Sequence, residues 1–103
     1  MANIIPDGGL ATKDPEDAIV YTFDWSLNLA SGVTIDAATW AITTERGTDG
    51  LAYDSDSISD QTTSARLTGG VQGSLYRVTA EITTFESPVQ IKQRSFLLLC
   101  DDL

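Results

Sequence analysis

Ile19, Tyr21, Phe23, Trp25, Leu27 and Leu29 share one parity of the chain, while Thr22, Asp24, Ser26 and Asn28 occupy the other. An extended chain sends successive side chains to opposite faces, so a period of two gathers those six on one side. A helix of 3.6 residues per turn cannot. The stretch predicts a half-buried strand with all six apolar side chains turned inward.

Similar patterns recur downstream. Val33 and Ile35 suggest a short strand after the turn signals at Ser31-Gly32, and Thr39 to Thr43 alternates again with Trp40 and Ile42 inward. Trp25 and Trp40 are candidate core anchors. Glu45 to Gly50 reads as a loop, and the following ten residues, with Tyr53, Ile58 and three aspartates, have only weak strand character. Ala65 and Leu67 share a face between Ser64 and Thr68. The glycine-rich run Gly69 to Gly73 then connects to a strand from Leu75 to Thr84 with Tyr76, Val78, Ala80 and Ile82 inward. The last strand is expected from about Val89 to Leu99. Its apolar end, Phe96 to Cys100, is compatible with a central strand covered on both sides or with a surface that another subunit buries.

No stretch has a helical period, and about seven short strands spaced by roughly ten residues are the pattern of an antiparallel sandwich. The expected fold is all-β, an immunoglobulin-like β-sandwich of about seven antiparallel strands over residues 18–103. Residues 1–17, rich in turn formers and charge at Asp7-Gly8-Gly9 and Lys13 to Asp17, read as an extended N-terminal arm. Ile4, Ile5 and Leu10 of that arm, with Leu97, Leu99 and Leu103 at the C-terminal edge, are hard to place inside a domain of 103 residues. They are expected to supply apolar contacts to partner proteins.

Charge narrows the choice of partner. Fifteen acidic residues against six basic ones leave a net charge of -9, which repels nucleic-acid backbones and anionic membranes. No apolar window approaches the ~18 residues needed to span a bilayer, and the N-terminus lacks the layout of an export signal, so a soluble chain is expected. Cys100 is the single cysteine, which excludes an intramolecular disulfide and a two-cysteine metal or redox site, and suits assembly in a reducing compartment. Within its apolar run it reads as a small buried hydrophobe.

The chain contains no histidine, so the commonest general base and most transition-metal ligand sets are missing. Paired carboxylates need a substrate cleft between them, which a sandwich of this size rarely provides. Asp54, Asp56 and Asp60 are spaced as a calcium loop might space oxygen ligands, but the turn glycine and the bidentate glutamate of the helical calcium loop are absent. With Tyr53 they are the features that a glycan-binding module would use. Gly69 to Gly73 leads into a strand and carries no lysine, so it is a turn and not a phosphate loop. Tyr76, at a strand start, is a candidate for the tyrosine that ties a loop in many immunoglobulin-like domains. No catalytic residue, metal ligand or cofactor is assigned.

The order of segments carries a further signal: Lys13 to Asp17, Tyr21 to Trp25, Trp40, Leu67 to Gly70, Gly73 to Thr79, Ile82 to Thr84 and Arg94 to Leu98. Together, over about residues 13–99, they resemble a family of small tailed-phage virion proteins, the phage fibre-tail adaptor or immunoglobulin-like virion structural proteins. The resemblance implies a structural role in the virion, assembled in the host cytoplasm. The implied partners are other virion proteins (portal or connector, capsid, tail or fibre) in a symmetric multi-copy assembly, with capsid decoration as the alternative placement and host-glycan binding as a second. The sequence departs from the family pattern at Glu86-Ser87-Pro88, where a glycine-arginine turn is expected, and in the acidic stretch from Asp49 to Asp60. Partner choice would differ there.

Overall fold

In a computed structural model, residues 3–4 and 8–101 are described. They form β1 (Asn3–Ile4), β2 (Leu10–Lys13), β3 (Ile19–Asp24), β4 (Thr34–Arg46), β5 (Leu51–Ser59), β6 (Thr62–Gly69), β7 (Leu75–Phe85) and β8 (Ile91–Cys100), with no helix among them. Two four-stranded sheets result, ordered β1-β3-β6-β5 and β2-β8-β7-β4. The β5–β6 and β7–β8 pairs are hairpins within a sheet, while the β3–β4, β4–β5 and β6–β7 connections cross between sheets.

The inward parity read from the sequence is the parity that packs. Tyr21 and Phe23 from β3 meet Trp40 from β4 and Phe96 from β8. Phe23 stacks on Trp40 with centroids 5.7 Å apart and meets Phe96 edge-on, also at 5.7 Å. Tyr21 lies 5.4 Å from Phe96. This aromatic cluster, with Val78, Ala80, Ile82, Ala65, Leu67 and Leu98, fills the space between the sheets. Burial of such aromatic area is the main force holding two sheets face to face. Trp25 and Trp40 are both buried, the first donating its indole N–H to Thr63 Oγ1 at 3.0 Å.

Several expectations are corrected. β3 ends at Asp24, so the period of two does not extend to residue 29. Trp25 to Asn28 turn instead, with Asn28 N–H donating to Trp25 O, and Leu27 is 96% exposed. The two short strands around Ile35 and Trp40 are one long β4, bent by bulges between Ile35 and Ala37 and between Thr44 and Arg46. The weak stretch after Gly50 is a full edge strand, β5, paired to β6 across its length. It looked weak because an edge strand exposed along nearly its whole length has no apolar alternation to display. Eight strands stand where about seven were expected, and two pairings are parallel: β1 with β3 and β2 with β8. The last strand begins at Ile91.

The segment expected as an arm therefore contributes two strands to the sheets. β2 hydrogen-bonds along β8, and Gly9 O accepts from Leu97 N–H at 2.9 Å. Lys13, at its end, is fully buried and donates its ammonium to Gly69 O at 2.6 Å and Asp14 O at 2.8 Å.

Candidate interaction surfaces

Strand parity fixes what the second sheet shows to solvent. Even-numbered residues of β7 and β8 point into the core, so Leu75, Arg77, Thr79, Glu81, Thr83 and Phe85 of β7 and Ile91, Gln93, Ser95, Leu97 and Leu99 of β8 project from the outer face. Directly paired residues share a face. Leu10 pairs with Leu97, Leu97 with Arg77, and Leu99 with Leu75. Leu10, Leu75, Leu97 and Leu99 thus form one contiguous patch on three neighbouring strands, with Leu10 67% exposed. Arg77 borders it, paired with Glu45 at 3.3 Å.

Three of the six residues expected to make partner contacts, Leu10, Leu97 and Leu99, are therefore brought together. Ile5 and Leu103 lie outside the described residues, and Ile4 is described only as backbone in β1. Leu75 was missed because it opens a strand whose even-numbered positions carry the core signal. Its register against Leu99 is a tertiary fact.

A second apolar surface, unforeseen, lies at the opposite end of the same face. Phe85 is 70% exposed, Ile91 66% and Val89 57%. Phe85 and Val89, with Asp36, Thr84, Glu86 and Ser87, line a cleft of about 490 Å³. Thr84 braces the hairpin there, accepting from Gln90 N–H at 2.9 Å through its hydroxyl and donating its own N–H to Gln90 O at 2.9 Å. The exposed apolar side chains thus stand on a hydrogen-bonded support. The sequence signal was present in Phe85, Val89 and Ile91, but a run split by Glu86-Ser87-Pro88 reads equally as a strand end.

The other sites considered in the sequence resolve differently. Asp54 accepts a two-pronged pair of bonds from Arg66, at 2.7 and 2.8 Å, and this guanidinium holds its carboxyl below the usual carboxylate range. It sits on a strand, and no cluster of three or more metal-ligating side chains occurs among the described residues. Cys100 is buried, and that burial raises its thiol pKa. Tyr76 does tie loops. Its hydroxyl donates to Thr48 O at 2.6 Å and accepts from Val71 N–H at 3.0 Å, joining the β4–β5 and β6–β7 connections.

These features define a class: a small two-sheet all-β domain that presents apolar side chains to solvent at both ends of one sheet face. Residues 13–99 match the family model described as "Podophage GP4 fiber-tail adaptor protein gp77". The chain belongs to this family of phage fibre-tail adaptors. No curated protein sequence matches it. Among solved structures, the cysteine protease inhibitor EhICP2 from Entamoeba histolytica shares the fold, with a TM-score of 0.56 and 11% identity over 96% of this chain and 94% of that one.

Proposed function

We propose that the protein is a non-catalytic structural adaptor of the virion, which joins tail and fibre components through protein-protein contacts and uses its outer sheet face as an interface. The observation that carries this reading is the family match over residues 13–99. The leucine patch supports it, since a contiguous apolar surface on a chain of net charge -9 costs solubility unless something covers it. Ile4, Ile5 and Leu103 are assigned to the same role, as apolar residues next to the two strands that border the patch in sequence.

The fold within this proposal is an immunoglobulin-like sandwich. The support is the strand order β3-β6-β5 opposite β8-β7-β4, the four-residue β2 parallel to the last strand, a buried tryptophan on β4 and the Tyr76 tie at the start of β7. The short β1 adds a parallel pairing to β3.

Quantitative mass spectrometry of purified particles, referenced to the major capsid protein, tests the placement. About three to twelve copies, the size of a closed ring at a tail or connector, are expected. Hundreds of copies would mean capsid decoration, and absence from the particle would overturn the virion reading. Because Leu10 is mostly exposed, Leu10→Asp should leave the chain folded and lower its incorporation into particles severalfold.

A further inference from the structure

The two ends of the outer face of the second sheet differ in charge as well as in shape. At the leucine end the face projects Arg46 and Arg77, with Glu45 paired to Arg77. At the hairpin end, Asp36 and Glu86 line the cleft beside Phe85 and Val89. Lys92, on the same hairpin, belongs to the inward parity of β8. Between the ends the face is low and polar, with Ser95 opposite Thr79, Thr79 opposite Ala41, and Gln93 bonded to Glu81 at 2.6 Å. The small side chains of Ser95, Thr79 and Ala41 let a second sheet approach there to the ~10 Å spacing of packed sheets, and the Gln93–Glu81 bond holds the two longer side chains against the face.

We infer that this face pairs with the same face of a second copy, the two running in opposite directions, so that the leucine end of each copy meets the hairpin end of the other. A two-fold axis through the middle of the face makes both contacts at once. Phe85, Val89 and Ile91 of one copy cover Leu10, Leu75, Leu97 and Leu99 of its partner, and Arg77 faces Glu86 in each contact. A two-fold contact requires a surface complementary to itself after inversion of its ends, and a face apolar at both ends and opposite in charge meets that requirement. A like-with-like arrangement would instead bring the two Asp36–Glu86 clefts together. The area is adequate: three strands of 10 to 13 residues and the four-residue β2, ~4.8 Å apart, give a face of roughly 550 Å² in projection, comparable with the ~800 Å² of accessible surface per partner in a standard interface. The inference rests on the adaptor reading only in treating the leucine face as an interface.

Sedimentation velocity of the full chain from micromolar to millimolar concentration tests it, independently of particle incorporation. The mass should rise from 11.0 kDa toward twice that value. Phe85→Asp, at an exposed position, should raise the dissociation constant at least about tenfold, with the urea midpoint unchanged at concentrations low enough that both proteins are monomeric. Arg77→Glu and Glu86→Lys should each weaken self-association, whereas an equimolar mixture of the two variants should regain it, because both contacts are then oppositely charged. A mass that stays at 11.0 kDa throughout overturns the proposal, as does a dimer indifferent to Phe85→Asp. A mixture no tighter than either variant alone overturns the opposed arrangement. Copy number in particles bears on the adaptor reading alone.

Discussion

Tyr76 helps tie two connections together: its ring is buried in the core while its hydroxyl bridges Thr48 and Val71, beside the bonds from Thr48 N–H to Ser74 Oγ and from Gly70 N–H to Gly50 O. Tyr76→Phe keeps the packing and strands a carbonyl and an N–H. The expected loss is about 1–3 kcal/mol in urea denaturation, the cost of leaving partly buried polar groups unpaired. Gly70 is constrained more tightly. Its φ of 97° disfavours any side chain, and a Cβ built there would lie 2.3 Å from Cys100 Sγ. Gly70→Ala should destabilise by about 2–4 kcal/mol, from overpacking and backbone strain together. Adding Cys100→Ala should recover the steric part alone, so the double variant separates the two causes. The buried ammonium of Lys13, donating to Gly69 O, shows why this corner is demanding: the same short turn must admit a lysine, a thiol and two left-handed glycines.

Edge strands set the behaviour of whole elements. β5 is exposed, and its register breaks between Asp54 and Ser57, where Ser55 adopts a φ of 53°. A bulge and two aspartates discourage edge-to-edge pairing with another chain. The Asp54–Arg66 pair across β5 and β6 also sets a pH response. Because the folded carboxyl titrates below its ordinary value, its contribution is present above the usual carboxylate range and lost as pH falls through the lowered value. Asp24, held down first by a hydrogen bond from the Ser26 backbone N–H, acts in the same direction. Urea midpoints should therefore fall on acidification below about pH 4. The fall should be shallower in Asp54→Asn, and the difference between the two proteins should shrink in high salt, since the pair is exposed. β2 makes a separate prediction. Deleting residues 1–13 removes the strand that covers the edge of β8, so it should lower global stability, read as an earlier thermal midpoint. Leu10→Asp, which leaves the backbone ladder in place, should not. Loss of incorporation after such a deletion would accordingly report on folding, and point variants are the sharper probe of contact.

At the scale of the whole molecule, Cys100 reports on cooperativity. It closes the central strand β8, buried under the Gly70 turn. Its reaction with a disulfide reagent should proceed at the rate of global opening and speed up with urea in step with loss of tryptophan signal. Labelling faster than unfolding would reveal independent opening of the β2 edge. Burial raises the folded thiol's pKa, so its contribution is intact below the ordinary thiol range and lost as pH climbs through the raised value. The alkaline limb of stability should thus be less steep in Cys100→Ala.

The alternation at Tyr21 and Phe23, at Ala65 and Leu67, and from Tyr76 to Ile82 determined the all-β class and most of the core. Parity is a local property, and burying one face demands it in the sequence itself. The ordered segments over residues 13–99 likewise carried the family. Tertiary structure decided the rest. Leu27 continued the inward parity, yet the chain turns at Trp25, where Arg94 caps the indole ring at 5.0 Å and bonds to Asp24 O and Asn28 Oδ1. That contact joins residues nearly seventy positions apart, and no window of sequence contains it. The leucine patch needed the registers Leu10↔Leu97 and Leu75↔Leu99 to become one surface. β5 carried no periodicity because it has no buried face of its own. Signals that depend on one strand's burial are written along the chain, whereas those that depend on which strand lies beside it exist only once the sheets have formed.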